Sequence, residues 1–258
     1  MLELTNVLGK HYDNKFFLST DIYSNILKTK GILVFKDFIS KTILNEMVIE
    51  ANLLKSKSFQ SSSNYNVYVK PQDLAYPKDS ARNRIMNTTK KCVPNDLISD
   101  KSFLMKIYNS SKIQRFFCSI LGVKHLYPYA DKLSSVNINY YEPGDALDWH
   151  FDNSDFTITL LIKNCKKGGT YQYFTDMRYN QDGSENYHLV EDILDNKISP
   201  NIQSAFEGDL MIFKGNKSLH RVTRVIDGER ILVTFNYNTQ KGIPLSEQSR
   251  KTFFGRIA

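Results

Sequence analysis

The stretch from Asn137 to Asp152, NINYYEPGDALDWHFD, reads as a strand and a turn ending on a histidine and a carboxylate spaced i, i+2. On an extended backbone that spacing puts His150 and Asp152 on one face, where a metal ion fits between them. A third ligand is needed, and the other histidines are His11, His125, His188 and His220. His220 is the candidate, because it lies in the strand-like segment SLHRVTRV, 68 residues beyond Asp152. Two neutral imidazoles and one carboxylate on one face of an octahedral ion leave three positions open.

Open positions suit a co-substrate and dioxygen, which is how non-haem Fe(II) oxygenases use such a face. 2-Oxoglutarate chelates iron through its keto and C1-carboxylate oxygens, so its remote carboxylate calls for a cation, with arginine preferred for bidentate pairing. Arg230 lies ten residues after His220, across the turn signal Asp227-Gly228, so SLHRVTRV and RILVTFNYN are expected to form a hairpin that brings the two close. Alternation puts Arg230, Thr234 and Asn236 on one face, where a core strand would carry Val or Leu. In the opening strand, Asn137, Asn139 and Tyr141 share a face; two buried asparagines are costly unless paired, so they line a wet pocket, where with Thr234 they would bind the co-substrate, or face solvent. Arg221 and Arg224 rival Arg230, and Arg224 shares His220's face.

Each residue also has a plainer reading. His150 suits a surface turn, His220 a satisfied core histidine, and Arg230 an exposed ion pair with Glu229 or Asp227. Agreement of order, spacing and strand context favours the metal centre over three coincidences.

These residues need a scaffold. GILVFKDF reads as a strand and KTILNEMVIEANLLKSK as a helix with one buried stripe, Ile43, Met47, Val48, Ala51 and Leu54. SKSFQSSSNYN reads as a loop. From Ser102 through FLMKIYNSSKIQRFFCSILG the pattern predicts one or two helices stopped at Gly122. From about Ser134 the segments SSVNINYY, FTITLLI, GGTYQYF, SAFEGDLMIF, SLHRVTRV and RILVTFNYN alternate as short strands bounded by turn residues, so a sandwich, jelly roll or barrel is expected. No repeat or low-complexity tract marks a boundary, and a single domain over 1–258 is expected, mainly helical to residue 130 and β from 131.

Bulk properties agree with a globular protein of 258 residues, 41% hydrophobic and 12% aromatic. Lys+Arg 34 against Asp+Glu 27 gives a net charge of +7, but the basic residues are scattered, which suits a solvated surface better than a nucleic-acid groove. Three cysteines far apart, Cys92, Cys118 and Cys165, suggest neither a disulfide framework nor a CxxC pair. With no leader-like start and no apolar run of membrane length, a cytoplasmic location without membrane contact is expected.

NINYYEPGDALDWHFDNSDFTITLLI, the following GGTYQYF and MRYN, GDLMIFKGNKSLHRVT and the tail LSEQSRKTFFGR resemble the Fe(II)/2-oxoglutarate oxygenases that include the BesD-type radical halogenases of free amino acids and their hydroxylase relatives. The resemblance covers roughly residues 130–258. It implies an α+β protein with a double-stranded β-helix (a cupin-like jelly roll) behind N-terminal helices, and Fe(II), 2-oxoglutarate and O2 as cofactor and co-substrates. His150, Asp152 and His220 match the metal ligands, and Arg230 matches the 2-oxoglutarate anchor. The halogenases carry a small residue in place of Asp152, freeing a coordination site for chloride, so hydroxylation is the outcome expected here.

For the substrate, a small polar molecule such as a free amino acid is expected. Arg82 or Arg84 would clamp a carboxylate, or serve only the surface. Trp149, Asn153 and Asn236 are expected near the pocket, and Asp155 near a substrate ammonium. A macromolecular substrate and a non-catalytic jelly-roll binding protein are the alternatives.

Overall fold

The computed structural model describes residues 6–258. The first half of the chain forms α1 (Thr20–Lys30), β1 (Ile32–Phe35), α2 (Lys41–Leu54), β2 (Phe59–Asn66), β3 (Ile85–Val93), α3 (Phe103–Tyr108) and α4 (Ser111–Leu121). Then come β4 (Val136–Tyr141), β5 (Leu147–His150), β6 (Thr157–Lys163), β7 (Lys167–Gly168), β8 (Tyr171–Phe174), α5 (Tyr187–Leu194) and β9 (Asn201–Gln203). The chain closes with β10 (Leu210–Phe213), β11 (Leu219–Val222), β12 (Val225–Asp227), β13 (Arg230–Phe235) and α6 (Glu247–Phe254).

Seven strands form the larger sheet in the order β1-β10-β6-β13-β4-β3-β2, and four form the smaller one, β5-β11-β8-β9. All pairings within them are antiparallel. Together they make the jelly roll that the strand pattern allows. Period-two alternation gives the larger sheet two unlike faces. Ile138, Tyr140, Ile158, Leu160, Leu210, Ile212, Ile231 and Val233 are buried with Met47 and Ala51 of α2, Leu104 and Ile107 of α3, and Phe116 and Phe117 of α4. The opposite face of the same strands, turned toward the smaller sheet, carries Thr157, Thr159, Asn137, Asn139, Thr234 and Arg230. One face is glued to helices; the other mixes these polar groups with Tyr141, Leu161, Leu232, Met211 and Phe213.

Three expectations are corrected. The first 130 residues are not simply helical, since they supply β1, β2 and β3, three of the seven strands of the larger sheet. SKSFQSSSNYN is not a loop: an eight-residue register with β3 makes most of it a strand despite its Ser and Asn, and α6 covers it, with Ser61 Oγ donating to the Thr252 carbonyl at 2.8 Å. Pairing and packing override weak intrinsic preference there. Nor do β11 and β13 form a hairpin. β11 belongs to the smaller sheet and β13 to the larger, with β12 paired to β7 between them, so the chain crosses from sheet to sheet. The helical region after Ser102 resolves into two helices, because Ser110 accepts a hydrogen bond from the Ile113 amide and starts α4 anew.

Candidate metal centre and active site

His150 ends β5 and His220 lies within β11, and the two are register partners. Between the pairs His220–His150 and Val222–Leu147, β5 spends one residue more than β11. This bulge breaks strict alternation and turns His150 inward beside His220. The imidazole centroids are 4.2 Å apart. Each Nδ1 lies on the carbonyl two residues upstream, His150 on Asp148 at 2.8 Å and His220 on Ser218 at 2.9 Å. An Nδ1–H donated to a carbonyl leaves Nε2 with its lone pair and fixes the ring angle. Both Nε2 atoms face Asp152 Oδ1, at 3.4 and 3.7 Å. The three side chains offer one ligand atom each within 4.8 Å of one another.

The Asp152 carboxylate has a built seat. Thr157 Oγ1 donates to Oδ2 at 2.6 Å, leaving Oδ1 for the metal, and the Asp152 amide donates to the Gly215 carbonyl at 3.0 Å. A Cβ on Gly215 would overlap Oδ2, so this position must be glycine while Asp152 stays where it is.

Burial, followed by the neighbouring His150, pushes the His220 imidazole down to about 4, so it is neutral at physiological pH. Burial opposes ionisation of Asp152. The His220 and His150 imidazoles and the Thr157 hydroxyl outweigh it and hold the carboxyl well below the usual carboxylate range. A neutral His220 and an anionic Asp152 are in the protonation states a divalent ion requires, and two imidazoles with one carboxylate are a donor set that fits Fe(II).

Deeper between the sheets lies a different environment. Arg230 is 3% exposed and, among the described residues, has no ion pair or hydrogen-bond partner; its Nη1 is fully enclosed. Burial pulls its guanidinium below the ordinary arginine range, with Tyr141 and Cys165 acting against the shift. Tyr141 lies beside it, its ring centroid 5.8 Å from the guanidinium carbon. Gly169 packs against its stem, and two residues on, the hydroxyl of Tyr171 is likewise buried without a partner, its ring 5.8 Å from that of His220. A buried guanidinium with nothing to bind suits a carboxylate, which fits the remote carboxylate of 2-oxoglutarate. Tyr171 was not singled out from sequence, although GGTYQYF stood among the motifs; the signal missed is its place on the same face as His220.

Other expected site residues fare unequally. Thr234 lies four residues along β13 from Arg230, roughly 13 Å at strand rise, too far to share one carboxylate with it. Asn137 and Asn139 are buried but engaged. Asn137 donates to the Leu133 carbonyl at 2.7 Å and accepts from Asn236, which also donates to Ser134; Asn139 accepts from Lys90 at 2.8 Å. They therefore brace the wall instead of holding the co-substrate. Trp149 faces the other way from His150, packed against Phe174 with Arg221 over its ring, and is withdrawn from the pocket. Arg84 is tied to Asp195 at 2.8 Å. Arg82 is buried, donates Nη2 to the Pro71 carbonyl and keeps Nη1 without a partner. Asn153 and Asp155 are exposed just beyond Asp152. Arg224, the rival anchor, donates to the Gly144 carbonyl at the surface.

Solved structures share this fold. HygX from Streptomyces hygroscopicus, solved with nickel, 2-oxoglutarate and hygromycin B bound, superposes with a TM-score of 0.59 at 11% identity, covering 88% of this chain and 90% of its own. A prolyl hydroxylase from Trichoplax adhaerens, in complex with a hypoxia-inducible-factor peptide fragment, gives 0.56 at 14% identity over 88% and 92%. An oxidoreductase of the 2OG-Fe(II) oxygenase family from Burkholderia pseudomallei gives 0.54 at 12% over 87% and 93%. No curated protein matches the sequence. No helix among the described residues is long and apolar enough to cross a membrane. The family model described as Halogenase D matches residues 19–253, and with the triad in place the chain belongs to that family of non-haem Fe(II)/2-oxoglutarate oxygenases.

Proposed function

We propose that the enzyme hydroxylates an unactivated C–H bond of a small polar molecule, a free amino acid or a derivative of one, and that residues 1–258 act as one oxygenase domain. The observation that carries this reading is Asp152 itself, seated by Thr157 and Gly215 at the position where the family's halogenases keep a small residue. With the carboxylate in place, no coordination site is freed for chloride. Iron, 2-oxoglutarate and dioxygen together supply the oxidising power that replaces a C–H hydrogen by hydroxyl.

The chain's own residues position and exclude. Arg230 receives the remote carboxylate of 2-oxoglutarate, and its burial keeps water from that ion pair. Arg82, with its free buried Nη1, is assigned to the carboxylate of the substrate, and Asn153 to its other polar groups, while Asn236 stays in the bracing network with Asn137. Holding the C–H bond in register with the open face of the metal is the protein's main contribution.

The test is succinate formation by anaerobically iron-loaded protein given 2-oxoglutarate and oxygen across a panel of free amino acids, with mass spectrometry of products. A product heavier by one oxygen atom, coupled to succinate and given by one amino acid, is expected. Binding of iron and 2-oxoglutarate with no amino acid turned over would move the substrate to larger or carrier-bound molecules.

A further inference from the structure

The stretch Met177–Asn180, MRYN, is one of those that carry the resemblance, yet none of its residues belongs to the triad. Its arginine is 6% exposed and fully engaged. Arg178 Nε and Nη2 meet the two carboxylate oxygens of Glu185 at 3.1 Å each, and Nη1 donates to the Asn216 carbonyl at 3.1 Å. The guanidinium carbon lies 5.0 Å from the ring centroid of Phe151 and 5.7 Å from that of Tyr68. Phe151 is the residue between the ligands His150 and Asp152, and Asn216 follows Gly215, whose carbonyl holds the Asp152 amide.

The turn 214–218 supports two of the three ligands. Gly215 seats Asp152, and the Ser218 carbonyl aims His220. The Lys217 carbonyl accepts from the amides of both Met177 and Arg178, so backbone and side chain of the motif grip the same turn. On its outer side Glu185 also pairs with Lys70, at 3.1 Å, in the segment between β2 and β3 that carries Arg82. That segment opens with Val69 at φ 52, a backbone setting a β-branched residue adopts only when its surroundings impose it.

We infer that Arg178 is a positioning residue for the metal centre. It clamps the His150–Asp152 segment through Phe151 to the 214–218 turn through Asn216, and through Glu185 it ties both to the substrate-side segment that begins at Val69. A lysine keeps the charge but not the planar fork, so it cannot serve the carboxylate, the carbonyl and two ring faces together. The inference rests on the metal reading of the triad, which the wild-type protein tests separately by taking up one equivalent of metal.

The experiment is a titration of metal-free Arg178→Lys and Arg178→Gln proteins with Co(II), read by its visible d–d absorption, alongside thermal unfolding. Both variants should bind Co(II) about 10- to 100-fold more weakly than wild type, the usual cost of losing an outer partner of a ligand, with an altered band envelope. Val190→Ala, which removes buried volume from the same apolar cluster and none of Arg178's hydrogen bonds, controls for stability. It should melt earlier yet bind Co(II) as wild type does. Should the arginine variants fail to fold, Glu185→Gln replaces them, since it spares the Asn216 contact while removing the bidentate pair; a several-fold loss of affinity is expected. Co(II) affinity within twofold of wild type in the folded arginine variants, or in Glu185→Gln where those do not fold, would overturn the inference. So would an equal loss in Val190→Ala.

Discussion

At the triad, each polar group is already engaged: both Nδ1 atoms on carbonyls, Asp152 Oδ2 on Thr157, Oδ1 facing both Nε2 atoms. Arg230, by contrast, is buried and has no partner among the described residues. The first region is built to hold one geometry before anything binds. The second stores an unfavourable desolvated charge that an incoming carboxylate relieves, so ligand binding and local stability are coupled there and not at the triad. Removing groups from the two ends should therefore have opposite signatures.

Arg230→Ala gives the largest separation. Truncating one partner of a buried charge pair costs roughly 2–5 kcal/mol, so the 2-oxoglutarate concentration for half-maximal succinate formation should rise by between about 30-fold and a few thousandfold. Co(II) affinity should stay near wild type, and the ligand-free protein should melt no earlier, because no ion pair is broken in it. Arg224→Ala, at the surface, should change neither; a larger effect from Arg224 would reassign the anchor.

Gly215→Ala attacks the satisfied end through a residue that touches no metal. The added methyl displaces the Asp152 carboxylate, and Co(II) binding should weaken by about 10- to 100-fold. Because Gly215 has an ordinary backbone conformation, strain is not a competing explanation, and unchanged Co(II) affinity would show that Asp152 has another place to sit.

The contrast between the two ends also explains what was readable. His150 and Asp152 announced themselves through a two-residue spacing, and the polar face of β13 through Arg230, because both signals are local periodicities. Trp149 misled because nearness in sequence was allowed to outrank alternation, which puts it opposite His150. Thr157, Gly215 and Tyr171 stayed silent, since their roles exist only once β6, β8 and the turn after β10 are folded against the triad. β2 was misread for a related reason: its Ser and Asn side chains say loop, and only its partner strand β3 says otherwise.

Protonation probes the satisfied end more gently. His220 has a folded value of about 4 against an ordinary 6.5, so between those pH values the unfolded chain binds a proton that the metal-free fold refuses. Stability therefore falls as pH drops below 6.5 and this loss stops near 4. From pH 7 to 5.5 it amounts to about 1.2 kcal/mol, or a few degrees in melting temperature for a chain of this size. His220→Gln should flatten that part of the profile, and an identical slope in the variant would assign it to other groups.

Tyr171→Phe should have the smallest effect and the most discriminating sign. It keeps the ring against Phe213 and His220 and removes only a hydroxyl that is buried and unpaired in the ligand-free protein. Losing an unpaired buried polar group costs nothing and relieves its desolvation, so ligand-free melting should hold or rise slightly. Its ring beside His220 puts that hydroxyl at the metal end, where it would donate to a bound co-substrate. The variant should then need several-fold more co-substrate, in line with about 1 kcal/mol for a single hydrogen bond, and the stabilisation that saturating 2-oxoglutarate gives the metal-loaded protein should shrink. A variant that melts earlier without ligand and keeps wild-type co-substrate affinity would reverse the assignment, making Tyr171 part of the satisfied framework.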